Sequence, residues 1–188
     1  WPKSFWYKVY EPFIRKAAGL GVASIKHDKE RYEHKYEYCD LLVAGSGPSG
    51  LASAYAAAKN GARVILAEDK PRFGGSLLTS EVNIGNQSGK EWADNIISEL
   101  KEMPNVIVKN RSQVFGYYDH NMLVMSEKLS DHLPKTKKYN PKQRLWYIRA
   151  KEVVISSGSI ERPLVFGNND TPGVMLSSAA KEYLKVYG

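Results

Sequence analysis

Short apolar runs divide the first half of this chain into alternating elements. Residues 41–44 and Val64–Ala67 are apolar runs of strand length, and an alanine-rich stretch with a helical pattern lies between them. A helix that joins two apolar strands in this way is typical of a βαβ unit with parallel strands. The pattern therefore predicts the start of a parallel sheet.

The second half predicts one long helix, a meander and a final helix. The pair Ser88 and Glu91 has the spacing of a capping box, and Pro104 stops the helix that follows. The apolar stripe of that helix is Trp92, Ile96, Ile97 and Leu100. Residues 106–108 and 153–156 are predicted to be further parallel strands. An antiparallel meander is predicted between them, at Ser112–Tyr118, residues 123–126 and residues 145–150. A last helix is predicted at about residues 177–187.

The first strand runs straight into a turn with three glycines, which we call the glycine turn (residues 45–50). It reads Gly45-Ser46-Gly47-Pro48-Ser49-Gly50. Gly45 permits a sharp turn, Gly47 permits close approach to a pyrophosphate, and Gly50 permits tight packing of helix on sheet. Pro48 suits the first helical turn, and the free amides there favour phosphate. In its strand–turn–helix context, this GxGxxG pattern predicts a dinucleotide site.

An acidic residue, Glu68, ends the second strand. A carboxylate at this position accepts hydrogen bonds from the ribose of a bound adenosine, and it repels a 2′-phosphate. NADP is therefore disfavoured, whereas NAD and FAD both remain open. The predicted fold class is α/β: a Rossmann-like FAD/NAD(P)-binding domain, with a parallel sheet, helices on both faces and the small antiparallel meander.

Beyond Glu68 the chain is similar to the two-dinucleotide-binding flavoprotein superfamily. The positions that match its extended pattern are Gly45, Gly47, Gly50, Ala54, Gly61, Val64, Glu68, Gly74 and Gly75. Residues 153–158 resemble the strand of that superfamily that ends in an Ala-Thr-Gly turn, with Ser156 and Ser157 in place of Ala-Thr before Gly158. The same resemblance implies a backbone contact of Val114 with an adenine edge.

The amino-acid composition limits the cellular compartment and the classes of binding partner that we expect for this protein. The single cysteine, Cys39, excludes an internal disulfide and a CxxC redox pair, and we expect a buried thiol in a cytoplasmic protein. The sequence has no apolar run long enough to span a membrane. The net charge is +7, from basic residues in the N-terminal stretch and in residues 135–144. Neither stretch matches a nucleic-acid-binding module, and we expect solvated surface or a face for an acidic partner subunit.

Residues 1–38 are predicted to be a connector from a preceding domain, and residues 39–188 a partial dinucleotide-binding domain. The connector is rich in aromatic residues, which we expect to pack on other protein surface. Since the chain opens at Trp1, we expect a fragment or a processed product. It also stops before the later Gly-Asp motif of the superfamily, so the fold is expected to be incomplete at its C-terminus.

Other chemistry finds little support in the sequence. Asp119 beside His120 suggests an acid–base pair, but neighbours on a strand face opposite ways, and a hairpin end with Asn121 as the turn former is favoured. The sequence shows no metal-ligand spacing, nucleophile elbow or Ser-His-Asp arrangement.

Several longer sequence segments resemble a more specific family. The stretches YEPFIRKAAGLG, GYYDHNM, RAKEVVISSGSIERPLVF and NNDTPGVMLSSA resemble the α subunits of heterotetrameric sarcosine oxidases. The likeness covers essentially all of this chain and a minor central portion of those longer subunits.

That resemblance implies an activity and a division of labour. The family oxidises sarcosine to glycine, a formaldehyde-level one-carbon unit that tetrahydrofolate accepts, and hydrogen peroxide. This portion of the α subunit is expected to hold NAD, while FAD, FMN, sarcosine and tetrahydrofolate are bound elsewhere among the subunits. The expected cofactor-binding residues are Gly45, Ser46, Gly47, Pro48, Ser49, Gly50, Glu68, Asp69, Lys70, Gly74, Gly75, Ser76, Val114, Ser157 and Gly158. No catalytic residue is expected in this segment.

Three functions stay open at this point. The first is the NAD-holding portion of a sarcosine oxidase α subunit. The second is the FAD-binding redox subunit of a related amine or opine dehydrogenase. The third is a non-catalytic scaffold of such an assembly.

Overall fold

A computed structural model describes residues 3–21, 23–134 and 141–188. It divides into two compact units, Trp1–Glu30 and Arg31–Gly188. The division falls earlier in the chain than the boundary predicted after Tyr38. Part of the second basic stretch, residues 135–140, lies outside the described residues.

The first unit is a succession of short helical turns. A 3₁₀ turn at Lys3–Phe5 and a π-helical turn at Trp6–Tyr10 lead into helix α1, Glu11–Ala17. Arg15 donates a hydrogen bond to Glu11 one turn earlier (2.6 Å). None of the residues in these three helices is buried.

The second unit is built on a six-stranded sheet. Its strands are β1 (Tyr32–Ala44), β2 (Val64–Ala67), β5 (Val106–Lys109), β6 (Ser112–Tyr118), β7 (Met122–Lys128) and β8 (Gln143–Ile155). The strand order is β5-β2-β1-β8-β7-β6; the first four strands are parallel, and β7 and β6 are antiparallel to their neighbours. A separate two-stranded hairpin consists of β3 (Asn83–Ile84) and β4 (Gln87–Ser88). The mixed α/β class and the predicted meander are confirmed.

Three α-helices and three shorter helical turns are described in this unit. Helix α2 spans Pro48–Lys59 and α3 spans Gly89–Glu102; near the C-terminus, α4 (Ser177–Glu182) continues into a π-helical turn, Tyr183–Tyr187. Short 3₁₀ turns lie at Gly75–Leu78 and Asp119–Asn121. The predicted capping box is present at the start of α3. None of the described helices is long and apolar enough to cross a membrane.

Two apolar clusters cover the two faces of the sheet. The first joins β1 and β2 to α2 and α3, through residues such as Val43, Leu51 and Leu100. The second consists of strand residues alone, with Leu42 and Ile65 against Trp146 and Ile148. Helices on both faces were expected, but apart from the glycines Gly50 and Gly89 the buried residues of α2 and α3 all belong to the first cluster. Apolar residues of the meander and of the long strands β1 and β8 cover the second face.

The alternation of side chains between the two faces of the sheet is interrupted near Asp40 of strand β1. The amides of Asp40 and Leu41 both donate to the carbonyl oxygen of Arg63 (2.9 and 3.1 Å), and Cys39 and Leu42, three positions apart, both lie in the second cluster. Cys39 is the expected buried thiol, and burial raises its pKa to about 12. Strand β8 is also continuous where two strands were predicted, because Glu152 pairs with Leu41 of β1 between the two predicted segments.

A buried carboxylate sits among the strands of the second face. Glu127 accepts hydrogen bonds from Trp146 Nε1 (2.8 Å), Lys109 Nζ (2.9 Å) and Arg144 (3.3 Å). Its side chain is only 8% exposed, so these donors replace the water that an ionised carboxylate requires. The network joins β5, β7 and β8.

Candidate nucleotide-binding site

Two glycines of the glycine turn are required by backbone packing. Gly45 has φ +105°, and a Cβ there would lie 2.2 Å from the carbonyl oxygen of Ser156. A Cβ on Gly50 would lie 2.0 Å from the carbonyl oxygen of Gly45. Since the neighbours are backbone atoms, neither position accepts a side chain without displacing β8 or α2.

Gly47 is different, because the protein itself does not exclude a side chain there. Its φ of −69° and ψ of −177° suit any residue, and a Cβ would meet no heavy atom within 4 Å. Gly47 is also the N-cap of α2, where the first amides have no intrahelical acceptor. Open space beside unpaired amides at a helix N-terminus fits a diphosphate group.

Glu68 is held against the glycine turn by three hydrogen bonds. Its Oε2 accepts from the amide (2.9 Å) and the hydroxyl (2.5 Å) of Ser46, and its Oε1 accepts from the amide of Lys70 (2.9 Å). Glu68 is 6% exposed and Ser46 is fully buried. A carboxylate has about four acceptor positions, so one remains on Oε1 for a ribose hydroxyl.

Some groups around Glu68 raise the pKa of its carboxyl and others lower it. Burial raises the pKa of this carboxyl above its usual range, and the neighbouring carboxyl of Asp69 raises it further. The hydrogen bonds from Ser46 and Lys70 oppose that rise, because they stabilise the ionised form.

The double-glycine turn (Gly74 and Gly75) closes on the glycine turn. The amide of Gly74 donates to the carbonyl oxygen of Ser46 (3.1 Å) and to its hydroxyl (3.3 Å). Gly75 has φ +53°, and a Cβ there would lie 2.9 Å from the Cα of Gly47. These two glycines are therefore needed where two turns touch.

The structure thus brings together the glycine turn, Glu68 and the double-glycine turn. Pro48 and Ser49 are exposed on the first turn of α2, and Ser76 is exposed beside Gly75. Ser157 and Gly158 are exposed just past β8, where the amide of Ser156 donates to Ala44 (2.8 Å).

The remaining predicted residues lie on neighbouring segments. Asp69 and Lys70 are exposed, and Lys70 pairs with Glu182 of α4 (3.2 Å). Val114 lies in β6, is partly buried against the second cluster and pairs with Met125 of β7. Its contact with an adenine edge stays a prediction.

Sequence reasoning missed the residues that fix the Glu68 backbone. The amide of Ser112 donates to the Glu68 carbonyl oxygen (2.7 Å), and the Glu68 amide donates to Lys109 (2.8 Å). The side-chain amide of Asn110 donates to the carbonyl oxygen of Pro71 (2.8 Å). These contacts depend on how β5 and β6 meet β2, and no local motif signals them.

Asp119 and His120 form the end of the β6–β7 hairpin. His120 and Asn121 have φ of 58° and 51°, and Arg149 donates to the His120 carbonyl oxygen (2.9 Å). These are features of a turn. Across the part of the chain that the structure describes, no group of three or more His, Cys, Asp or Glu side chains could hold a metal ion.

Sequence comparison places this chain among flavin-dependent oxidoreductases, which agrees with the dinucleotide-type geometry of the site. The model of the family described as FAD dependent oxidoreductase matches residues 40–138. The sarcosine oxidase α subunit of Rhizobium meliloti (strain 1021) is 45% identical over 188 residues, which are 100% of this chain and 19% of that protein. An opine oxidase subunit of Agrobacterium tumefaciens (strain Ach5) is 27% identical over 158 residues, 81% of this chain and 30% of that protein.

A solved structure gives the same fold. The L-proline dehydrogenase from P. horikoshii has a TM-score of 0.65 and 22% identity, and the match covers 87% of this chain and 31% of that one. The chain spans about a fifth of the length of the sarcosine oxidase α subunits it matches. By its family match, its fold and its glycine turn, the chain belongs to the FAD dependent oxidoreductase family, and over its whole length it is homologous to sarcosine oxidase α subunits.

Proposed function

We propose that this chain is the NAD-holding portion of the α subunit of a sarcosine oxidase complex. The observation that carries the proposal is Gly47, a glycine that neither backbone conformation nor packing requires, placed beside free helix amides. The identity of 45% to a sarcosine oxidase α subunit over the whole chain supports the more specific assignment.

The residues of the site have separate binding roles in this proposal. The amides of Ser49 and Gly50, in the first turn of α2, would donate to the diphosphate placed in the open space at Gly47. Oε1 of Glu68 would accept a hydrogen bond from the adenosine ribose, and its negative charge would exclude a 2′-phosphate. Gly75 keeps the second turn close to the first. A bound dinucleotide supplies hydride chemistry at its other end.

The activity of the whole assembly is part of the proposal. The complex would oxidise sarcosine to glycine and a formaldehyde-level one-carbon unit passed to tetrahydrofolate, while molecular oxygen takes the two electrons and becomes hydrogen peroxide. Sarcosine, tetrahydrofolate, FAD and FMN would be bound outside this segment, and other subunits would be the partners in a cytoplasmic hetero-oligomer. The segment itself would contribute binding and no bond-making step.

FAD is the second candidate for the same site. The family match to FAD dependent oxidoreductases and the relationship to an opine oxidase favour it. The glycine turn and Glu68 suit the adenosine diphosphate portion that NAD and FAD share, so they do not separate the two. With FAD here, the chain would belong to the redox subunit of an amine or opine dehydrogenase.

The test is to identify the nucleotide by mass spectrometry after denaturing the purified full complex. The variant Glu68→Ala shows which nucleotide occupies this site, because it removes the charged hydrogen bond to the ribose, worth about 1.5–3 kcal/mol, and so weakens the binding of that nucleotide alone. We expect Glu68→Ala to lower the NAD content and to leave the FAD content unchanged.

The matched control is Glu99→Ala, which removes an exposed carboxylate from α3 and should change neither nucleotide. Loss of FAD, with NAD absent from the wild-type complex, would contradict the NAD assignment and support the dehydrogenase alternative.

A further inference from the structure

Ser46 is the most deeply buried polar residue of the glycine turn. It is fully buried although it lies in a turn between a strand and a helix. Its amide and its hydroxyl both donate to the same atom, Oε2 of Glu68 (2.9 and 2.5 Å). A hydroxyl that donates to a carboxylate forms a short, strong, charge-assisted bond. Twenty-two positions of sequence separate the two residues.

Ser46 also joins a third segment to this pair. The amide of Gly74 donates to both the carbonyl oxygen and the hydroxyl of Ser46 (3.1 and 3.3 Å). The hydroxyl therefore accepts from the double-glycine turn while it donates to Glu68. Its orientation is fixed from both sides.

The two carboxylate oxygens of Glu68 differ in how many further hydrogen bonds they can accept. Oε2 already accepts two hydrogen bonds from Ser46, whereas Oε1 accepts one, from the amide of Lys70 (2.9 Å). A carboxylate oxygen accepts about two hydrogen bonds, so only Oε1 can accept another.

We propose that Ser46 is a positioning residue for dinucleotide binding, whose hydroxyl fixes Oε2 of Glu68 within the turn so that Oε1 meets the ribose. The inference rests on the proposed function and deepens it. The serine would act through Glu68, without itself contacting the ribose.

The same contacts make binding depend on pH. Burial raises the pKa of Glu68, and the Ser46 hydroxyl lowers it by stabilising the ionised form. Among the neighbouring charged groups, Asp69 raises the pKa of Glu68. Lys70 and Lys109 bond to Glu68 through their backbone, and their ammonium groups pair with Glu182 and Glu127. Since ribose binding uses the ionised carboxylate, affinity falls as pH falls through the pKa of Glu68. Without the Ser46 hydroxyl, that fall moves to higher pH.

The experiment is a calorimetric titration of the full complex, freed of dinucleotide, across the weakly acidic to neutral range. ADP is the probe, because it is the part common to NAD and FAD. We expect Ser46→Ala to raise the pH midpoint of the affinity by about one unit, which makes ADP binding about tenfold weaker below the midpoint. Above the midpoint the affinity should fall by less than about threefold.

Two further variants make the result specific. Ser98→Ala removes a hydroxyl that donates to Asp94 within α3, and its profile should equal that of the wild type. In Glu68→Gln, which has no carboxylate to titrate at this position, adding Ser46→Ala should leave the pH profile unchanged. Ser46→Gly removes the same hydroxyl and serves as the second test if Ser46→Ala does not fold.

The outcomes distinguish this inference from the proposed function. Equal pH profiles for Ser46→Ala and the wild type would overturn the role of Ser46 alone. A shift that persists in Glu68→Gln would also overturn it, since another group would then be responsible. Failure of the wild-type complex to bind ADP, NAD or FAD would overturn the proposed function, and this inference with it.

Discussion

The parallel half of the main sheet and the meander half bury their inner faces with different residue types. Against α2 and α3, the buried residues are all apolar and many are small, such as Ala54 and Ala58. In the meander half, Trp146 lies beside Glu127, whose carboxylate bridges Lys109 and Arg144. The cluster against the helices contains apolar residues alone, whereas the carboxylate of Glu127 is buried beside the second cluster and surrounded by donors.

The difference follows from what each half has to position. Small residues let the backbone of α2 approach β1 and the end of β8 closely, and that approach shapes the glycine turn. The meander half packs long side chains, and through Glu127 its strands β7 and β8 are joined to Lys109 of the parallel strand β5. Such paired charges add geometric constraint where apolar contacts alone would allow slippage.

The largest effect on stability is expected from a substitution that disrupts the close contact between Gly50 and Gly45. In Gly50→Ala, the new Cβ meets the backbone of Gly45, so we expect the free energy of unfolding to fall by about 3 kcal/mol. Gly47→Thr places a side chain in open space at an N-cap, where threonine and glycine are about equally favourable. Its stability should stay within about 0.5 kcal/mol of the wild type. Urea unfolding of the two variants measures the contrast, and equal stabilities would contradict it.

A smaller effect is expected from the meander half. Glu127→Gln removes the buried charge and leaves Lys109 and Arg144 without their shared partner. These cations are 27% and 26% exposed and keep some water, so we expect a loss of about 2 kcal/mol rather than the larger cost of a fully buried pair.

The matched control is Glu99→Gln, which breaks an exposed pair with Lys59 and should leave unfolding unchanged within error. If Glu127→Gln were as stable as Glu99→Gln, the buried network would contribute nothing, and the contrast between the two halves would fail.

The parts of the fold that the sequence predicts well are those encoded by local spacing. The glycine turn, the capping box at Ser88 and the βαβ order each depend on residues a few positions apart. Local rules of backbone conformation and helix capping suffice for them. The close contacts at Gly45 and Gly50 show the same rules in atomic detail.

The parts that escaped prediction depend on distant segments. The Ser46–Glu68 bond spans 22 positions and the Lys109–Glu127 pair spans 18, and each requires the register of several strands. The alternation of β1 is interrupted near Asp40 without any proline or glycine to mark the position. Helices were expected on both faces because doubly wound sheets have them, whereas here the meander covers the second face.

The central claim is that the open space at Gly47 belongs to a dinucleotide. The most direct measurement is calorimetric titration of NAD into the full complex carrying Gly47→Thr, after removal of bound nucleotide and beside the wild type. The account predicts that affinity falls at least about tenfold, which corresponds to the loss of one charge-assisted hydrogen bond, while stability is retained. Unchanged NAD affinity in a folded Gly47→Thr complex would contradict the claim and favour a scaffold role for this segment.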